Sequence, residues 1–422
     1  MPDKFLEVNV EASREALGAV NGPQLLYLLV DVKPAHAERP ERPPLNLSLV
    51  LDRSTSMRGR RLANVRAAAT MIVEQLSPDD FLSVVAFSDR ASVVIPAGRQ
   101  QDKIQVLNKI RQIQAFGGTE AYQGLEAGYR ELRRVPLAEY TNHLILLTDG
   151  HTYGDAAACL NVVRAGASDG ISLSAFGIGP EWNERFLDQL AAIAGGETSY
   201  IATPGQVVQA LQRCINGLSS AYARNICMSS DFPNGFNLIS AFRVAPTAQP
   251  LGVNGDYLRL GNVEGRVPLT FLLEFSVEPR ASATKLPLEF ELSADIPSQS
   301  IRNHRVKVQH ELLIVDGEAQ GDPPQNLVAA VQAWNFHQMN DNLWDDIEQG
   351  NLQRAKTRMS KLTQRLMEAG HTKLAQQLRT ETERLSAGVG VSSEGRKTLT
   401  FATRSLVTQT VRLRTIDDEP LS

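Results

Sequence analysis

Asp52, Ser54 and Ser56 stand at alternate positions, Asp-Arg-Ser-Thr-Ser, directly after the apolar run Leu45, Leu47, Leu49, Val50 and Leu51. One carboxylate and two hydroxyls at that spacing can be aimed from a single turn at one point, and oxygen donors of this kind suit hard divalent cations. Two further groups have the same character. Thr119 follows a Phe116-Gly117-Gly118 loop whose glycines permit close backbone approach, and Asp149-Gly150 ends a second apolar run, residues 142–148. Taken singly, each has a simpler role. Asp52 and Asp149 suit turns, the serines suit caps, and Thr119 suits the start of a helix carrying Tyr122, Leu125 and Tyr129. Together they supply five oxygen-bearing side chains from three segments.

The elements around them explain how these segments could meet. Residues 45–51 and 142–148 read as strands buried on both faces, as in a parallel sheet. Residues 60–76 read as a helix with Leu62, Val65, Ala69, Ile72, Val73 and Leu76 on one stripe. Further strands are expected at 81–87, 91–95 (short, antiparallel, at the edge), 171–178 and 200–202. Helices are expected at 103–113, 182–194 and 204–217. Such alternation implies a doubly wound, mostly parallel α/β sheet of the Rossmann-like kind, with ligands at the carboxyl ends of its strands.

This stretch resembles the von Willebrand factor type A domain and its metal-ion-dependent adhesion site. The family signature, Asp-x-Ser-x-Ser, a threonine on a second loop and an aspartate after a later strand, falls on Asp52, Ser54, Ser56, Thr119 and Asp149 in the family's order. The resemblance implies that these five bind Mg²⁺ (or Mn²⁺ or Ca²⁺), directly or through water, and that one coordination position is left for an acidic side chain of a partner protein. Glu120 departs from the pattern by adding a negative charge. Arg53, Arg58, His151 and Asp155 fall near the expected rim. A second implied role is that of an adaptor for a AAA+ ATPase of the MoxR-like type.

An enzyme using Asp52 as a phosphoryl acceptor beside Mg²⁺ is the remote alternative. Against it, phosphatases of the haloacid-dehalogenase type need a second aspartate two residues on, where Ser54 stands. There is no Gly-x-x-x-x-Gly-Lys phosphate loop, and the histidines form no catalytic spacing.

The rest of the chain frames this unit. Residues 1–44 contain two alternating strands (Leu6, Val8, Val10, Ala12; Leu26, Leu28, Val30, Val32) and a proline-rich linker over 34–44. Two strands are too few to fold alone, so they are expected to join an all-β sandwich over 219–320. There Leu273, Phe275 and Val277 alternate, as do Leu288, Phe290 and Leu292, between turns such as Asn254-Gly255. The α/β unit, residues 45–218, is then an insertion in the sandwich. Residues 321–390 read as a three-helix region and 391–422 as a tail, with a final strand possible at 398–410. The order resembles the inter-alpha-trypsin-inhibitor heavy-chain branch of the family and its bacterial relatives.

Over 422 residues the net charge is −4 and the pI about 6.0, which leaves no basic footprint for nucleic acid. The three cysteines, Cys159, Cys214 and Cys227, have neither zinc nor disulfide spacing. No run approaches the ~20 apolar residues of a membrane helix, and residues 1–10 lack a signal-peptide core. These features are read as a cytoplasmic protein.

Overall fold

The structure is a computed structural model that describes residues 5–36, 42–99, 102–150, 152, 154–229, 231–253, 256–265, 267–281, 285–317 and 322–415. Linker residues 37–41, His151 and the Asn254-Gly255 turn lie outside them.

Three strands open the chain: β1 (Leu6–Ala12), β2 (Ala16–Gly18) and β3 (Gln24–Pro34). The α/β unit follows as β4 (Leu45–Asp52), α1 (Arg60–Gln75), β5 (Phe81–Phe87), β6 (Ala91–Arg99), α2 (Lys103–Arg111), α3 (Ala121–Leu132), β7 (Thr141–Thr148), α4 (Ala156–Ser168), β8 (Ser172–Ile178), α5 (Glu184–Ala194), β9 (Thr198–Ile201) and α6 (Pro204–Ser219). Then come β10 (Ala221–Ser229), β11 (Phe236–Ala245), β12 (Gln249–Pro250), β13 (Tyr257–Glu264), β14 (Leu269–Val277), β15 (Lys285–Ile296) and β16 (Ile301–Val315). Helices α7 (Gln325–Glu348), α8 (Leu352–Glu368), α9 (Thr372–Ser386) and α10 (Ser393–Thr415) close the described chain.

The central sheet has the order β6-β5-β4-β7-β8-β9, parallel except for the edge strand β6. Every residue of β4 and β7 is buried. Helices α1, α2 and α6 cover one face, where Leu47, Leu49, Val65, Ile72 and Leu211 pack together, and α3, α4 and α5 cover the other, where Val50, Leu125, Leu144 and Leu190 meet. The apolar runs behave as expected of strands sandwiched between helical layers.

Two five-stranded sheets, β1-β3-β14-β11-β12 and β13-β10-β15-β16-β2, enclose a separate core. β3 lies between β1 and β14 in antiparallel register, with Val30 opposite both Val10 and Phe271. The chain thus enters the sandwich through β1 to β3, leaves for the α/β unit, and returns through β10.

The three helices expected over 321–390 are present as α7, α8 and α9, but the tail and possible strand expected after them are overturned over 393–415. Residues Ser393–Thr415 form α10, so four helices follow the sandwich among the described residues. Thr398, Thr400, Thr403, Val407 and Thr408 look strand-like because β-branched residues favour extended backbone. Burial decides otherwise. Leu399, Thr403 and Val407, spaced by four, are all fully buried on one helical stripe. The Ser392 hydroxyl accepts from the Gly395 backbone N–H at 2.9 Å, and Glu394 places a negative charge in the first turn. Helix α10 runs along α7 and crosses back to the other units. Val407 joins Phe242 and Leu272 of the sandwich, and Phe401 packs on Trp182 and Tyr200 of the α/β unit.

Candidate metal centre

The site forms where the end of β4, the loop between α2 and α3 and the end of β7 come together. β4 and β7 are parallel neighbours in register, Leu51 opposite Leu147, so the next residues along, Asp52 and Thr148, stand side by side. The Thr148 hydroxyl donates to Asp52 Oδ2 at 2.6 Å, and the Ser54 backbone N–H donates to Asp52 Oδ1 at 2.8 Å. Both oxygens of a fully buried carboxylate are therefore engaged. Burial pushes the Asp52 pKa up, and the bonds from Thr148 and Ser54 oppose that rise.

Residues Thr55–Met57 form one turn of 3-10 helix. This turn brings Ser54 Oγ within 3.0 Å of Ser56 Oγ, and Ser56 Oγ donates to Asp149 Oδ1 at 2.7 Å. The second loop is tied down by its backbone. The Phe116 N–H donates to the Arg53 carbonyl at 2.8 Å, the Thr55 N–H donates to the Gly117 carbonyl at 3.0 Å, and the Gly118 N–H donates to Asp89 Oδ1 at 2.8 Å. Gly117, at φ 78°, adopts a conformation that a side chain would strain.

That loop delivers Thr119, which is buried, to the same place. A Cβ added at Gly150 would lie 3.4 Å from Thr119 Oγ1 and 3.9 Å from Ser56 Oγ. Two hydroxyls from separate loops thus face the space that the missing side chain leaves open. The cap of α3 is Glu120, not Thr119, so the threonine hydroxyl is not spent on the helix start.

Two carboxylates and three hydroxyls therefore line one cradle, all hard oxygen donors. Asp52 and Asp149 are fully buried, whereas Ser56 is exposed, so the cradle opens to solvent on the Ser56 side. The donor set fits Mg²⁺ or Mn²⁺, which take few carboxylates and keep water among their ligands. Among the described residues no group of three or more His, Cys, Asp or Glu is placed to hold a metal ion, and this cradle relies on two carboxylates supplemented by hydroxyls.

Several neighbours escaped the sequence reading. Thr148 could have been found from strand register alone. Arg61 donates from Nη1 to Asp149 Oδ2 at 2.6 Å. Its signal was the first turn of α1, which carries Arg60 and Arg61 and no acid, against the helix dipole. Asp155, expected at the rim, is engaged inside the fold. It accepts from the Tyr122 backbone N–H at 2.8 Å and from Thr152 Oγ1. Arg53 lies over the Phe116 ring at 4.2 Å, and Arg58 and Glu120 are exposed.

Residues 46–213 match the von Willebrand factor type A domain, and residues 325–409 match the Sll0103-like C-terminal alpha-helical domain. Residues 46–213 are a von Willebrand factor type A domain. The chain is 35% identical over 211 residues to the uncharacterized protein sll0103 of Synechocystis, covering 49% of this chain and 50% of that protein. It is 30% identical over 273 residues to human inter-alpha-trypsin inhibitor heavy chain H4, covering 58% of this chain and 28% of that one. The chain thus spans half or less of these curated relatives. A solved von Willebrand factor type A protein from Catenulispora acidiphila shares the fold with TM-score 0.74 at 16% identity, over 95% of this chain and 97% of that one. The expected family, and the expected α/β fold with additional sheets and C-terminal helices, are both found.

A cleft of about 270 Å³ lies at the amino ends of the von Willebrand sheet, remote from this cradle, lined by His143, Cys214 and Arg243 among others. It offers little chemistry. Burial pushes the Cys214 thiol up and the His143 imidazole down to about 3, so both stay neutral. Arg243 directs its guanidinium to the carbonyls of Gly195, Gly196, Leu260 and Thr247. No described helix is long and apolar enough to cross a membrane.

Proposed function

We propose that this protein is a non-enzymatic, metal-dependent interaction module. Asp52, Ser54, Ser56, Thr119 and Asp149 would hold one divalent cation, Mg²⁺ or Mn²⁺, in the cradle that Gly150 leaves open, and an acidic side chain of a partner protein would complete the coordination. The observation that carries this is the convergence of the Thr119 and Ser56 hydroxyls on the Gly150 gap, beside Asp149. The cation supplies an electrophilic point that captures a carboxylate. The chain's own part is to fix five oxygens by strand register and backbone bonds before anything arrives. Human inter-alpha-trypsin inhibitor heavy chain H4 carries a related segment, and that likeness agrees with an interaction role.

The enzyme alternative finds no support at Asp52. A carboxylate nucleophile must be reached in line by a phosphoester, whereas Asp52 is fully buried with Oδ1 and Oδ2 each accepting a hydrogen bond, a position from which it can balance a cation's charge or bind it through water. The test is affinity capture with the whole chain as bait, in Mg²⁺ and in EDTA, beside a generic phosphatase assay. A partner retained in Mg²⁺, released by EDTA and lost in Ser54→Ala and Thr119→Ala supports the proposal. Capture unaffected by EDTA and by both substitutions, or phosphatase turnover that depends on Asp52, would overturn it.

A further inference from the structure

Asp149 is shared between two neighbours. Oδ1 accepts from Ser56 and faces the hydroxyl cradle, while Oδ2 accepts from Arg61 Nη1 at 2.6 Å. The carboxylate is fully buried, and the guanidinium is 36% exposed at the mouth of the cradle. Arg61 has a built seat. Nη1 also lies 3.5 Å from the Ser56 carbonyl, and the guanidinium lies against Gly179, where an added Cβ would come within 3.3 Å of Nη2. Gly179 sits at φ 72°, so that close approach is matched by a backbone that favours glycine.

We propose that Arg61 is a built-in counter-ion that sets how tightly the site holds its metal, an inference that rests on reading the five residues as a metal centre. Asp52 and Asp149 are two buried carboxylates joined through the Ser54 and Ser56 hydroxyls. Without a cation between them, Arg61 is, among the described residues, the positive charge paired with Asp149. Once a divalent ion enters, the same guanidinium is a like charge one carboxylate away. It draws on Asp149 and repels the ion. The site is thereby stable when empty and releases its metal readily, and an arriving acidic side chain restores the negative charge that Arg61 offsets. Arg61 is a positioning residue in this scheme, since it acts on the metal through Asp149.

The experiment is Mn²⁺ calorimetry on the full chain as wild type, Arg61→Gln and Arg61→Lys, with melting temperatures taken with and without Mn²⁺. Arg61→Gln is expected to bind Mn²⁺ at least about tenfold more tightly than wild type at low salt, with the gap narrowing at high salt as screening grows. Arg61→Lys, which keeps the charge, is expected to stay within about threefold of wild type. A role in packing alone would not separate lysine from glutamine in this direction. Without metal, Arg61→Gln should melt below wild type, and with Mn²⁺ the order should reverse. Wild-type binding with equal or weaker binding by Arg61→Gln would overturn the counter-ion role and leave the metal centre standing. Absence of binding in all three proteins would overturn the metal centre and the counter-ion role with it.

Discussion

Ser56 Oγ donates to Asp149 Oδ1 at 2.7 Å although 93 residues separate them. The bond closes the cradle between the turn after β4 and the end of β7, and two parallel strands in register bring it about. The fold's largest investment, a sheet buried on both faces, therefore fixes the spacing of the oxygens before any ligand is present. A site arranged this way should be sensitive to what fills the cradle and to the charge held against its carboxylates.

Gly150→Val is the direct test of that space. Its Cβ would meet Thr119 Oγ1 at 3.4 Å, an ordinary contact, and its two methyl groups would extend among the hydroxyls. We expect Mn²⁺ affinity to fall by at least about tenfold while the melting temperature stays near wild type, because the loop end is not part of either helical core. Binding unchanged by valine would mean that the cation sits elsewhere.

A second expectation concerns the junction between units. Arg404 on α10 grips Asp188 on α5 with both terminal nitrogens, and Gln249 of the sandwich reaches the same carboxylate at 3.4 Å. All three side chains are buried. Arg404→Met strands a buried carboxylate and should cost about 3–5 kcal/mol in urea unfolding. Adding Asp188→Leu should recover much of that loss. Equal destabilisation by the single and double variants would show that the pair contributes only by packing.

Acid should loosen the molecule through its buried histidines. Burial holds His143 down to about 3 from 6.5 and holds His337 well below its ordinary value, with the nearby Arg404 charge adding to the effect on His337. As pH falls below 6.5, the unfolded chain takes up protons that these folded imidazoles refuse. Stability present above 6.5 is therefore lost on the way down towards 3, at about 1.4 kcal/mol per pH unit for each such group. Melting curves at a series of pH values should show this slope, and His143→Gln should flatten it. A wild-type melting temperature constant between pH 7 and 4 would contradict it.

Much of this was legible in the sequence because the informative residues are local. Asp52, Ser54 and Ser56 announce themselves by spacing, and Asp149-Gly150 by its place after an apolar run. Thr119 needed a known family pattern to be joined to them, since nothing local distinguishes it from a cap. Arg61 and Thr148 were missed for different reasons. Thr148 acts across a strand pair, which only register reveals. Arg61 acts across a helix start, where it reads as an ordinary surface charge until its anion is placed. Helix α10 was misread because threonines and valines favour strands intrinsically, whereas burial against α7, the sandwich and Trp182 overrides that preference.

The most direct measurement is Mn²⁺ calorimetry on the wild-type chain, Asp52→Ala and Asp149→Ala, each checked for folding by circular dichroism. One ion per wild-type chain and none at this site in either folded variant is the expected result. Equal Mn²⁺ binding by all three proteins would contradict a metal centre built from Asp52, Ser54, Ser56, Thr119 and Asp149.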